Sequence, residues 1–117
     1  MEPKTQPPGF NGPERRREAR AKVSVPAELH LAGKIYLGVI RDLSTLGAYV
    51  ELISGDEFAN VGNGRLVVKA LGPIDVAVRS KRFDEAVVVG LGVQFMGLSG
   101  QKRDVLARLI ESARVED

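Results

Sequence analysis

The strongest constraint on the fold of this chain is an alternation of apolar and polar residues with a period of two. Its clearest occurrence begins after Lys22. The apolar members there are Val23, Val25, Ala27, Leu29 and Leu31. Such a period predicts a strand with one buried face. Pro26 interrupts the polar side, and because it has no backbone N–H to donate, we expect it at an edge or a bulge.

The same alternation recurs farther along the chain, between turn-forming stretches such as Ala32-Gly33-Lys34 and Gly72-Pro73. It predicts further strands at about 35–41, 47–52, 64–71, 74–78 and 87–95. A turn is predicted at residues 82–85. These segments are short and closely spaced, which is typical of an antiparallel β-protein.

Two of these strands carry specific predictions about their faces. In the fourth strand, Leu66, Val68 and Ala70 are expected to point inward. The inward residues expected in the sixth strand are Val87, Val89, Leu91, Val93 and Phe95. Gly90 and Gly92 fall on the other side of that strand, where a neighbouring backbone or a strong bend could come close.

The period changes near the end of the chain. Apolar residues then recur at helical spacing: Val105, Leu106, Leu109, Ile110 and Ala113. This spacing predicts an amphipathic helix over about residues 99–114, with Ser99 as its N-cap. Six strands and one helix predict a mainly β fold, namely a small six-stranded antiparallel, Greek-key-like barrel with the C-terminal helix packed against it. A β-sandwich is the alternative.

The domain organisation follows from length and composition. A chain of 117 residues is most simply one domain. Residues 1–13 contain four prolines and two glycines and are predicted to form a flexible tail, with the barrel domain at 14–117. We find no secretory signal and no apolar run near the ~20 residues of a membrane span. The chain is therefore expected to be soluble and cytoplasmic.

Several kinds of chemistry are disfavoured by the residue types. The chain has no cysteine and one histidine, His30, which falls on the polar side of the first strand. A metal site or a catalytic triad would need more such residues. Gly90-Leu91-Gly92 lacks the third glycine of a dinucleotide-binding fingerprint. We therefore expect neither an enzyme nor a cofactor.

A cluster of cations precedes the first strand. Between Glu14 and Lys22 the cations are Arg15, Arg16, Arg17, Arg20 and Lys22. The simple interpretation is a solvated basic arm. The functional interpretation is that arginine forks grip phosphate oxygens, reach guanine O6 and N7, or stack on bases. Arg16 and Arg20, four residues apart, can converge on one ligand whether the segment is helical or extended.

A polar turn, Asp42-Leu43-Ser44-Thr45-Leu46-Gly47, separates the second and third strands. Taken alone it is an ordinary tight connection, since Asp and Ser bond neighbouring amides and glycine is conformationally permissive. The functional interpretation gives Asp42 the role of accepting from guanine N1–H and the exocyclic amine. Ser44 would add a hydroxyl, and Gly47 would let a ligand approach the backbone.

Together, the Arg-x-x-x-Arg of Arg16 and Arg20 and the Asp-x-Ser-x-x-Gly of Asp42, Ser44 and Gly47 resemble the PilZ domain, a bacterial family that binds cyclic di-GMP. Gly90-Leu91-Gly92-Val93-Gln94-Phe95 resembles the family's closing strand. The resemblance covers about residues 14–112. It implies a cyclic di-GMP receptor or adaptor in second-messenger signalling, of the kind that regulates motility or biofilm formation. It also implies a barrel with the Arg loop folded across its mouth.

The resemblance implies ligand contacts from Arg15, Arg16, Arg20, Asp42, Ser44 and Gly47. We further expect that the ligand orders the Arg-rich segment onto the barrel and so alters binding to a partner protein. Two alternatives stay open. One is a ligand-independent protein-interaction adaptor. The other is a nucleic-acid-binding small barrel. Such a barrel would use aromatic stacking platforms on a basic face, but the chain has only six aromatic residues and its basic stretch is short.

Overall fold

The structure, a computed structural model, describes residues 20–56 and 62–114. These residues form six strands and one helix: β1 Ala21–Leu31, β2 Lys34–Leu43, β3 Gly47–Asp56, β4 Asn63–Val68, β5 Gly72–Asp84, β6 Val87–Phe95 and α1 Gly100–Ala113. Neighbouring strands are antiparallel and close into a barrel in the order β1-β2-β3-β6-β5-β4. The predicted fold class is confirmed. The predicted tail at 1–13 lies outside the described residues.

Strand β1 has the predicted two-faced pattern, with its apolar residues buried and most of the alternate ones exposed. Pro26 pairs with Val39 of β2. On the other side, the pairing with β4 covers only Glu28 to Leu31. Pro26 therefore lies where β1 has no β4 neighbour, and its missing N–H interrupts no bond on that side.

The barrel interior is filled by branched aliphatic side chains from the strands. The fully buried ones include Leu29, Ile40, Leu43, Val50, Leu66 and Leu91. Burying each such side chain contributes about 1.5–3 kcal/mol relative to its exposed state. Since every strand contributes to one shared interior, the outer face of the barrel remains available for polar and functional residues.

Strand β4 ends earlier than predicted. It stops at Val68, and the Leu71 N–H donates to the Val68 carbonyl at 2.9 Å, which closes a turn. Ala70 lies in this turn and is exposed, so its predicted inward position is wrong. Gly72 follows with a positive φ of 75°, which redirects the chain into β5.

Strand β5 is longer than predicted, and β6 changes face near its start. The turn after β5 is centred on Glu85, whose φ is 60°. Gly90 pairs with Arg82, but Val88 already pairs with Phe83, so Val89 is an extra, bulged residue. The bulge shifts the alternation, and Val88 is fully buried while Val87 and Val89 are only half-buried. The predicted inward positions of Val87 and Val89 are therefore wrong.

Helix α1 begins as predicted. The Ser99 hydroxyl accepts a hydrogen bond from the Lys102 N–H at 3.1 Å, which makes Ser99 the N-cap. Leu106 and Ile110 are buried and join the barrel core. Within the described part of the chain, this helix of 14 residues is the only one, and it is too short and too polar to cross a membrane.

Candidate functional site

Ser44 stabilises the turn between β2 and β3 through hydrogen bonds to its own backbone neighbours. The backbone N–H of Ser44 donates to the Gly47 carbonyl at 3.0 Å. The Ser44 hydroxyl oxygen accepts from the N–H groups of Leu46 and Gly47, at 3.0 and 3.3 Å. Ser44 is buried, so these bonds satisfy a polar side chain that has little access to water. No described residue accepts the hydroxyl proton.

A bulge in β2 places Asp42 on the outside of the barrel. Ile40 pairs with Val50 of β3, and Asp42 pairs with Tyr49, so Arg41 is an extra residue on β2. Strict alternation from the buried Ile40 would have turned Asp42 inward. With the bulge, Arg41 and Asp42 both reach solvent and the next residue, Leu43, is buried. Bulges commonly re-aim side chains beside functional sites in this way.

Gly47 is required by the close approach of strand β6. A Cβ placed on Gly47 would collide with the carbonyl oxygen of Val93. Its φ is not positive, so the requirement is steric and does not come from a left-handed conformation. The backbone of β6 therefore lies against Gly47, and this contact holds the turn to β6.

Arg20 lies at the start of the described chain, beside Asp42. The Arg20 Nε is 4.0 Å from the Asp42 Oδ1. Both side chains are accessible, with exposed fractions of 62% and 39%. An exposed pair at this distance contributes little to stability. The Arg20–Asp42 ion pair can therefore be broken in favour of contacts to a ligand with little loss of stability. Arg15 and Arg16 lie outside the described residues.

A shallow cleft of about 540 Å³ lies next to this turn. Its first wall is formed by residues predicted from the sequence, Arg20, Ser44 and Gly47, together with Leu46 and Ala48. Leu46 is an exposed apolar side chain here, 56% accessible. Asp42 adjoins this wall through Arg20. The structure thus brings together Arg20, Asp42, Ser44 and Gly47, from two motifs far apart in sequence.

The second wall of the cleft comes from strands β5 and β6, and no site residue was predicted on it from the sequence. Its residues are Arg79, Ser80, Gly92, Val93 and Gln94. A Cβ on Gly92 would collide with the Ser80 hydroxyl, so the neighbour of this glycine is a side chain and not a backbone. Across residues 20–56 and 62–114, no group of three or more His, Cys, Asp or Glu side chains could hold a metal ion.

These features define a class of protein, a small antiparallel barrel with a polar cleft on its outer surface beside the β2–β3 turn. The chain belongs to the PilZ domain family, whose family model matches residues 14–112. The resemblance drawn from the two motifs is therefore confirmed. No curated protein sequence matches the chain significantly.

Solved structures with the same fold include the PilZ domain of YcgR from Escherichia coli with c-di-GMP (cyclic di-GMP). The TM-score is 0.60 at 20% identity, over 85% of this chain and 91% of that one. YcgR from Escherichia coli in complex with c-di-GMP gives 0.58 at 21% identity, over 84% of this chain but only 45% of that one. The PilZ domain of CeSA from a cellulose-synthesizing bacterium gives 0.50 at 20% identity, over 80% and 96%. At these identities, the similarity establishes the fold.

Proposed function

We propose that this chain is a receptor for cyclic di-GMP. The observation that carries the proposal is that Arg20 and Ser44 line one exposed cleft of a PilZ barrel, with Asp42 beside Arg20. The two YcgR structures that share this fold contain the same ligand. A cleft with accessible cations and hydrogen-bonding groups suits a nucleotide, which carries phosphates and polar base edges.

Each site residue has a proposed role that follows from its chemistry. Arg15, Arg16 and Arg20 bind phosphate oxygens and guanine edges, because guanidinium groups donate in a planar fork. Asp42 accepts from N1–H and the exocyclic amine of a guanine, since an ionised carboxylate only accepts. Ser44 donates its remaining proton, and Gly47 keeps the turn against β6, where the ligand lies over its backbone.

The proposal includes a regulatory step. A dianionic ligand neutralises the Arg-rich segment at residues 15–20 and fixes it against the barrel, which is an order–disorder switch. The fixed segment then changes the surface offered to a partner protein, so the chain acts as an adaptor without catalysing a reaction. The clustering of arginines directly before β1 supports this step. We place the receptor in the cytoplasm.

The test is a calorimetric titration of the protein with cyclic di-GMP. Variants Arg20→Ala and Arg16→Ala/Arg20→Ala are compared with Arg108→Ala, which removes an exposed arginine from α1, on a different element. We expect saturable binding at micromolar affinity or better, about −8 kcal/mol, in the native and control proteins. The Arg20 variants should lose it.

Two outcomes of this titration would contradict the proposal. If the native protein releases no heat and its melting temperature does not change at millimolar ligand, the receptor function is rejected. Equal binding by the Arg20→Ala and Arg108→Ala variants would reject the proposed site, but the chain would still be a cyclic di-GMP receptor.

A further inference from the structure

Arg79 occupies an irregular position on β5, on the side of the cleft that β5 and β6 form. Val78 pairs with Val93 of β6 and Ser80 pairs with Gly92, so Arg79 is the extra residue of a bulge. A bulge changes the direction of a side chain and interrupts the alternation of faces. As a result Arg79 and Ser80 are both exposed and both line the cleft.

The Arg79 side chain is oriented by a neutral partner. Its Nε donates to the Gln94 Oε1 at 2.7 Å. Gln94 in turn is the cross-strand partner of Gly47, the last residue of the turn motif. Because the bond uses Nε, the terminal Nη groups of Arg79 remain as donors, and no other described residue accepts from them.

The charge of Arg79 is not neutralised by the described part of the protein. Arg41 is paired with Glu51 at 2.8 Å and Arg65 with Asp75 at 3.2 Å. No carboxylate within residues 20–53 or 62–114 forms such a pair with Arg79. A positioned guanidinium without a counter-ion, on the wall of a cleft, is suited to an anion.

We propose that Arg79, held by Gln94, is a further ligand-binding residue that contacts a phosphate of the nucleotide. This inference rests on the proposed function and extends the site to the β5–β6 side of the cleft. Cyclic di-GMP carries two phosphates, so two cations that line one cleft can bind one ligand together. Arg20 lines this cleft at the β2–β3 turn, and Arg79 lines it on β5.

The test measures cyclic di-GMP binding by calorimetry in four variants. Arg79→Gln removes the charge, and Arg79→Lys keeps a point charge that still binds phosphate. Gln94→Glu is nearly isosteric and places a carboxylate against Arg79. Arg108→Gln removes the same charge from an exposed site on α1 and is the matched control. The melting temperature of each variant, free of ligand, shows that the barrel is intact.

We expect Arg79→Gln and Gln94→Glu to weaken binding by about tenfold or more, the effect of one lost charge-assisted contact. Arg79→Lys should retain most of the affinity, and Arg108→Gln all of it. The loss in Arg79→Gln should shrink when salt is raised from about 0.05 to 0.5 M, because salt screens an exposed charge contact.

The outcomes separate this inference from the proposed function. If the native protein binds and Arg79→Gln binds as tightly as Arg108→Gln, the role of Arg79 is rejected and the receptor function stands. A loss that is independent of salt overturns the phosphate contact and indicates a guanine edge instead. Failure of the native protein to bind rejects both.

Discussion

At the scale of single residues, the site reuses groups that also hold the fold. Ser44 is buried and its hydroxyl oxygen accepts from two backbone amides of its own turn. This is the ordinary structural use of a serine in a turn. Ser44 also lines the cleft, and no described residue accepts its hydroxyl proton. The structural and functional interpretations of this serine are therefore compatible, and mutational tests must separate stability from binding.

Gly47 is a residue at which the addition of one methyl group should lower the stability of the fold. In Gly47→Ala the new methyl group collides with the Val93 carbonyl oxygen, so β3 and β6 must separate locally. We expect the free energy of unfolding to fall by about 1–3 kcal/mol, as for overpacked sites. Urea denaturation measures this. Gly100→Ala is the control, because a Cβ there meets no atom within 4 Å. Equal stability of the two variants would contradict the steric role.

Asp42 should determine which base the site accepts. Asp42→Asn keeps the shape but replaces one acceptor oxygen with a donor NH₂, which faces guanine donors unfavourably. We expect cyclic di-GMP affinity to fall by about tenfold, the effect of one charge-assisted contact. Competition with cyclic di-AMP shows whether discrimination between the bases is lost as well. Asp104→Asn, on the exposed face of α1, is the matched control and should bind normally.

At the scale of elements, the sequence predicted what depends on local periodicity. The alternation in β1 and the helical spacing in α1 indicate their buried faces correctly, because each follows from the geometry of one segment. The bulges at Arg41, Arg79 and Val89 were missed. A bulge is defined by two strands pairing out of step, so one strand's sequence does not specify it.

The missed bulges are also where the site was incompletely predicted. Asp42 was recognised through its motif, although the bulge that turns it outward was not. Arg79 was not recognised, since nothing near it in sequence resembles a binding motif. The one available signal was an arginine directly after the apolar alternation of residues 74–78, and that signal is too common to be informative.

The Ser99 N-cap should contribute measurably to the stability of helix α1. Ser99→Ala removes the acceptor for the Lys102 N–H and leaves an unpaired donor in the first turn. We expect a loss of about 0.5–2 kcal/mol in the free energy of unfolding. Ser99→Asp should restore it, because aspartate also caps helices. Ser112→Ala, near the exposed end of α1, is the control, and a comparable loss there would argue against a specific cap.

At the scale of the whole molecule, the order of the strands around the barrel assembles the cleft. Arg20 precedes β1, the turn motif joins β2 and β3, and Arg79 lies on β5. Ala21 pairs with Leu43 of β2, which brings Arg20 to the turn, and β6 lies between β3 and β5, which brings Arg79 near it. Sequence alone could connect the first two only through the family resemblance. The third depends on strand order, which is a property of the complete fold.

Ligand binding should change both the stability of the fold and the hydrogen exchange of residues 15–20. At a ligand concentration of 100 times the dissociation constant, binding should stabilise the fold by about 2.7 kcal/mol and raise the melting temperature. Hydrogen exchange of residues 15–20 should slow at the same time, because the ligand fixes this segment against the barrel. Arg20→Ala should show neither change at that concentration. Stabilisation of the barrel with unchanged exchange at 15–20 would retain the receptor but reject the switch, since the adaptor surface would then have to lie elsewhere on the barrel.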